Sequence, residues 1–157
     1  MNDNDREFLS KAISLARENI YKGGGPFGAL VVKNNLIISS ANNKVTQTND
    51  PTAHAEIEAI RAASKELGSF LLEGCTLYSS CEPCPMCLGA IYWAGIKRLV
   101  FAAGKNDAAE VGFDDSFIYN ELTKSYKQRK IQTHQALKKE AQQVFKEWDK
   151  YPLKKPY

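Results

Sequence analysis

The constraint that bears hardest on this chain is a pair of short motifs, His54-Ala55-Glu56 and Pro83-Cys84-Pro85-Met86-Cys87. Any fold it adopts must bring them together. They supply three first-row metal ligands and one spare carboxylate. A structural zinc takes four protein donors, whereas a catalytic zinc takes three and leaves a position for water. Three donors and a non-ligating acid therefore point to hydrolysis. Cys84 and Cys87 stand at i and i+3, one face of a helical turn, and Pro83 and Pro85 mark where that helix begins. At a helix N-terminus the macrodipole favours negative charge, so both sulfurs are expected to bind as thiolates. His54 and Glu56, two positions apart, converge only if the ion lies near the start of their own helix. Asp50-Pro51-Thr52 upstream is read as that start, because Asp and Thr cap helices and Pro suits the first turn. Two helix N-termini aimed at one zinc is the resulting expectation.

Plainer readings compete. Cys-x-x-Cys alone could be a redox dithiol, yet such motifs do not come with an upstream His-x-Glu. Cys81 could complete a four-ligand structural site, which would leave Glu56 idle. Cys75 and Cys81 invite a disulfide, but Met1 leads directly into a charged helical pattern with no apolar leader, so a reducing cytoplasm and plain burial of these two are expected. The 157 residues, 43% of them hydrophobic, suffice for one domain with a substantial core. No apolar run reaches bilayer length, so no membrane partner is expected. A net charge of +3, from 21 basic and 18 acidic residues, is too mild to argue for nucleic acid. The lysines from Lys124 to Lys155 are interleaved with Glu140, Glu147 and Asp149, the pattern of a solvated helix face.

Along the chain, Phe8, Leu9, Ala12, Ile13 and Ala16 form the apolar stripe of a helix over residues 3–20. Phe27 to Val32 and Leu36 to Ser40 flank Asn34-Asn35, which predicts a β-hairpin. A polar loop is expected from Asn42 to Thr52. Ile57, Ile60, Ala63 and Leu67 predict the next helix, closed by Gly68. Cys75 to Ser79 reads as a strand leading into the cysteine helix, which ends near Gly95. Leu99 to Ala102 reads as a buried strand, Phe117 to Leu122 as a short helix, Ile131 to Ala136 as a last strand, and Leu137 to Lys150 as a terminal helix. Alternating strands and helices predict an α/β sheet covered on both faces.

The two motifs together resemble the H-x-E and P-C-x-x-C signature of the zinc nucleobase deaminases, a case the general chemistry of base deamination already names. The resemblance spans most of the chain and implies a three-layer α/β/α sandwich with a mixed central sheet, the cytidine-deaminase-like fold. Within it, Gly25 to Gly28, Asn49 to Ala53 and above all Ala108 to Tyr119 are similar to the bacterial guanine deaminase family. It implies one domain over 1–157, a zinc ion held by His54, Cys84 and Cys87, and Glu56 as the proton carrier. The implied reaction is hydrolytic removal of an amino group from a small purine, guanine to xanthine. Backbone N–H groups near Ala55 and Cys84 would steady the tetrahedral intermediate.

For substrate binding the resemblance carries over Asn43 as a purine-reading amide and Asp115 as a carboxylate near the ring N1–H and amino group. Taken alone, Asn43 is a turn residue and Asp115 a helix cap. Phe27 is a candidate to pack on the purine face, with core packing as its alternative. Trp93 is assigned to a position near the site or a subunit contact, or to burial. In similar deaminases the C-terminal segment is exchanged between subunits, which implies a homodimer in which residues 137–157 are swapped and Tyr157 covers the partner's pocket. Three rival functions stay open: deamination of guanosine or another aminated ring, deamination of adenosine in tRNA, and a non-catalytic zinc-stabilised binding module.

Overall fold

The structure, a computed structural model, describes residues 3–156. It divides into two compact units, one ending at Asp115 and the other beginning at Ser116.

The first unit is built on four strands, β1 (Gly28–Lys33), β2 (Leu36–Asn42), β3 (Cys75–Cys81) and β4 (Arg98–Ala103), in the order β2-β1-β3-β4. β1 is antiparallel to β2 and β3, and β3 is parallel to β4, so the sheet is mixed. The hairpin turn is Asn34-Asn35, both with positive φ (51° and 61°), the backbone of a type I′ turn whose twist matches its strands. Alternation on β1 separates two cores. Leu30 and Val32 join Tyr78 and helix α1 (Asp3–Ile20) through Phe8, Leu9 and Ala12. Ala29 and Val31 join Leu77 and the helices α3 (Ala55–Leu67) and α4 (Pro85–Trp93) on the opposite face. The three-layer expectation holds. Gly28 is where α1 comes nearest to the sheet: a Cβ there would lie 2.3 Å from the Ala12 carbonyl oxygen, so only glycine lets the two backbones approach this closely.

Several elements depart from the pattern in the sequence. The 42–52 stretch contains a short helix, α2 (Val45–Thr48), ended by Asn49 at φ 53°. α3 does not start at Asp50. That carboxylate accepts hydrogen bonds from the Thr52 N–H at 2.8 Å and the Thr52 hydroxyl at 2.7 Å, making a turn of its own, and His54 becomes the N-cap. The buried face of α3 is Ala55, Glu56, Ala59 and Ala63. Ile57 and Ile60, whose bulk drew the expected stripe, are half-buried. β4 was expected to be buried, but it is an edge strand with Phe101 42% exposed. A neighbour on one side only covers less of it than an unbroken apolar run suggests. A six-residue helix, α5 (Lys105–Glu110), follows β4.

In the second unit the described residues form α6 (Ser116–Leu122), a 3-10 turn (Tyr126–Gln128) and α7 (Lys138–Lys150). The strand expected at Ile131 to Ala136 is not formed. A strand is defined by its ladder, and this unit holds no other strand to pair with.

An ion pair between a buried carboxylate and an exposed guanidinium fastens α1 to the sheet. Asp5, 1% exposed, accepts hydrogen bonds from Arg98 at 2.9 and 2.8 Å and from the Tyr78 hydroxyl at 2.8 Å. These bonds to Asp5 hold the Arg98 guanidinium well above its ordinary pKa. Replacing Asp5 by Ala leaves the Tyr78 hydroxyl short of an acceptor in the core. The Asp5→Ala protein should lose about 1–3 kcal/mol of stability in urea denaturation at neutral pH. A loss within about 0.5 kcal/mol would show that the pair is incidental.

Candidate functional site

Two helix starts build the site. His54 caps α3 with extended backbone (φ −69°, ψ 155°) and Cys84 caps α4 likewise (φ −65°, ψ 168°), with Pro85 as the first residue of α4. Because His54 stands just outside its helix, the 100° step between helical residues does not govern it, and its ring lies on the same side as Glu56. This resolves the spacing that a continuous helix would forbid. His54 Nδ1 is 3.6 Å from Cys84 Sγ and 3.5 Å from Cys87 Sγ. The three donor atoms lie within 4.8 Å of one another.

Those spacings test the fit of a metal. With Zn–N near 2.0–2.1 Å and Zn–S near 2.3 Å, a tetrahedral ion separates N and S donors by about 3.6 Å. Cys81 stands outside the group, its Sγ 3.7 Å from the Gly104 carbonyl oxygen, which removes the four-ligand alternative. All four cysteines are free thiols, and Cys75 and Cys81 are buried.

Electrostatics separates the groups. A hydrogen bond from the Cys87 thiol lowers Cys84 to about 4, His54 adding to this and burial opposing it. Cys87, as the donor of that bond, is pushed up, and His54 is raised by its hydrogen bond to Cys84. Glu56, 6% exposed, is raised chiefly by burial, opposed by its own backbone N–H. A carboxyl moved up in this way is better matched to proton transfer near neutrality. Its Oε2 lies 3.5 Å from Cys87 Sγ and its Oε1 3.2 Å from the Ser79 hydroxyl.

The other residues expected at the site occupy definite places. Ala55 is the first residue of α3 and fully buried, in the turn whose N–H groups have no intrahelical acceptor. Asn43 is buried, and its Oδ1 accepts from the Val45 N–H at 3.2 Å while its backbone N–H donates to the Phe27 carbonyl at 3.0 Å. Phe27 meets Phe113 edge to face at 4.9 Å between ring centres. Asp115 is half-buried and raised first by burial and then by the Cys84 thiolate, so the metal group acts on it electrostatically. Trp93 is largely exposed. Tyr157 lies outside the described residues. A separate cavity of about 340 Å³ opens on the α1 side, lined by Ile13, Phe27, Cys81 and Val111 among others but by none of His54, Glu56, Cys84 and Cys87.

Three residues escaped the sequence reading. Asn19, 0% exposed, donates from Nδ2 to the carbonyls of Gly25 at 2.8 Å and Asn43 at 2.7 Å, pinning the loop that carries Asn43. Ser79 touches Glu56, and Phe113 backs Phe27. For Asn19 and Ser79 a signal was available: each is a polar residue on a row that is otherwise apolar, after Ala12 and Ala16 in one case and after Cys75 and Leu77 in the other.

Residues 2–103 match the cytidine and deoxycytidylate deaminase zinc-binding region. The chain is 52% identical to the guanine deaminase of Bacillus subtilis over 155 residues, 98% of this chain and 99% of that one. The crystal structure of a guanine deaminase from Bacillus subtilis superposes with a TM-score of 0.95 at 52% identity, covering 100% of this chain and 99% of the other. A tRNA-specific adenosine deaminase from Aquifex aeolicus is 45% identical, but over 61% of this chain and 64% of its own.

The low pKa of Cys84 makes a reactivity prediction. In metal-free protein at pH 6 Cys84 is a thiolate, whereas Cys81, pushed up to about 11 mainly by burial, is a thiol. Iodoacetamide followed by mass mapping should label Cys84 well ahead of Cys75 and Cys81. The advantage should vanish as pH falls through about 4, and added zinc should suppress the labelling. Equal labelling of Cys84 and Cys81 at pH 6 would contradict it.

Proposed function

This chain belongs to the cytidine and deoxycytidylate deaminase zinc-binding family, and on that premise we propose that it is a zinc-dependent hydrolase converting guanine and water to xanthine and ammonia. The observation that carries the reaction class is a buried carboxylate, Glu56, set beside a three-donor group with tetrahedral spacing. The substrate rests on the reach of the likeness. Similarity to the Bacillus subtilis guanine deaminase runs through 98% of the chain, while that to the Aquifex aeolicus tRNA-specific adenosine deaminase stops at 61%. The protein matched along nearly the whole chain is thus one named for a free base.

His54, Cys84 and Cys87 would hold the zinc in this reading. Zinc, when bound, supplies the positive charge that makes water acidic enough to attack near neutral pH. Glu56 would take one proton from the attacking water to the ring nitrogen as the C2–O bond forms, and would then carry the hydroxyl proton of the resulting tetrahedral centre to the amine, so that the C2–N bond breaks, ammonia leaves and a carbonyl remains at C2. Ala55 and Cys84, at the helix starts, offer N–H groups where negative charge develops. Asn43 presents an amide to the purine edge, Asp115 accepts from the N1–H and amino group, and Phe27 packs on the ring. Burial and the Cys84 charge, by lifting Asp115, suit it to a second proton transfer.

In our reading residues 1–157 belong to one deaminase domain, completed by a second copy of the chain. α7 exposes Val144, Phe145 and Trp148, an apolar face on a lysine-rich helix that a partner subunit would cover, with residues 137–157 exchanged and Tyr157 closing the partner's pocket. Free thiols suit a cytoplasmic enzyme, and among the described residues no helix is long and apolar enough to cross a membrane.

A spectrophotometric panel of guanine, guanosine, adenine, cytosine and cytidine tests the substrate, with xanthine formation from guanine expected. Inosine formation in an RNA stem-loop without turnover of guanine would overturn it. Glu56→Ala should keep its zinc and lose about 10²- to 10⁴-fold in kcat. Cys84→Ala should lose both zinc and thermal stability. A Glu56→Ala enzyme with intact turnover would instead favour a binding module. Deleting residues 151–157 should raise KM about tenfold with zinc content unchanged; unaltered kinetics would refute the covering role of the tail.

A further inference from the structure

We infer that Ser79 is a positioning residue that sets which oxygen of Glu56 faces the reacting water. The inference rests on the function proposed above and adds a part to it.

Ser79 lies on β3, on the face directed at α3, in a row with Cys75 and Leu77 of the apolar core. It is 2% exposed. A hydroxyl at such a position is unfavourable unless it is paired, and the carboxylate of Glu56 pairs it: Ser79 Oγ donates to Glu56 Oε1 at 3.2 Å. The direction of that bond is set from behind. The Cys81 backbone N–H reaches the same Oγ at 3.4 Å, a long bond that takes up an acceptor position and leaves the hydroxyl proton for Glu56. The two carboxylate oxygens thus have different environments. Oε1 is tied to the sheet, and Oε2 lies on the ligand side, 3.5 Å from Cys87 Sγ.

Rigidity makes the tie useful. Ser79 pairs with Ala29 of β1 on one side and Phe101 of β4 on the other, so its Cα is held by ladders from both edges. Glu56, in contrast, is a long side chain with three rotatable bonds in the first turn of its helix. A single fixed donor on Oε1 removes the rotation that would swing Oε2 away from the water, and a proton carrier misplaced by about 1 Å can cost on the order of 10²-fold in rate. Ser80, the next residue, turns the other way and accepts from the Gly28 N–H at 3.0 Å. Two consecutive serines thus serve opposite faces of one strand, and only Ser79 meets the chemistry.

Three variants test the idea. Ser79→Ala removes the donor without adding volume. Ser79→Val and Ser79→Thr have nearly the same shape and differ in the hydroxyl. Ala and Val should lose ten- to hundredfold in kcat, with KM within about twofold and zinc content unchanged, whereas Thr should stay within about threefold of the parent enzyme. A Val loss shared by Thr, or a loss in Ala confined to KM, would assign Ser79 to packing and overturn the inference. An Ala variant with parental kcat would do the same. Should Glu56→Ala also retain turnover, the error lies in the role of Glu56; if Glu56→Ala is inactive and Ser79→Ala is not, it lies with Ser79 alone.

Discussion

Small side chains on one stripe of α3 govern the geometry on which the site depends. Ala55, Ala59 and Ala63 are all fully buried, and they share a cluster with Leu77 of β3 and Ile91 of α4. Methyl groups at these three turns let α3 lie close to the sheet, and α4 packs beside it. Larger residues there would push the helix axes apart, and the imidazole of His54 would leave the two sulfurs. The distances between donor atoms at the helix starts are thus decided several residues away, by how little volume stands between the elements that carry them.

The helix starts contribute more than position. An N-cap residue has extended backbone, so its side chain can turn back towards the axis, and the unpaired N–H groups of the first turn favour an anion there. Cys84 uses both properties. His54 uses only the first, since its role is to be a neutral donor. The arrangement places a thiolate, a buried carboxylate and an imidazole within a few ångströms, a set that a core of ordinary composition could not hold without a cation or shared protons to balance it.

Much of this was legible in the residues. The two motifs, the asparagine pair of the hairpin and the glycines that close α3 and α4 each rest on a local rule, and local rules survive folding. What failed were inferences about burial. Ile57 and Ile60 look like the centre of the inward face of α3, but alanines take the fully buried positions because the approach is tight, and Ile60 packs half-buried at the edge of the core. Leu99 to Ala102 looks like a central strand, but its place at the end of the order β2-β1-β3-β4 is a property of topology, which no window of sequence reports. Ile131 to Ala136 has the composition of a strand and no ladder to join. Asn19 and Ser79 could have been noticed as polar residues on apolar rows, although their partners, a pair of loop carbonyls and Glu56, become visible only in three dimensions. The role of the C-terminal tail came from resemblance alone.

The division of the chain at Asp115 bears on how the molecule is made. Among the described residues all four strands, the three candidate ligands, Glu56 and Ser79 precede Ser116. On a ribosome the N-terminal part emerges first and can fold as a unit, so the pocket for the ion can close while the lysine-rich end is still being translated. Metal binding and folding are thereby linked within this first part, since the whole ligand set lies in it.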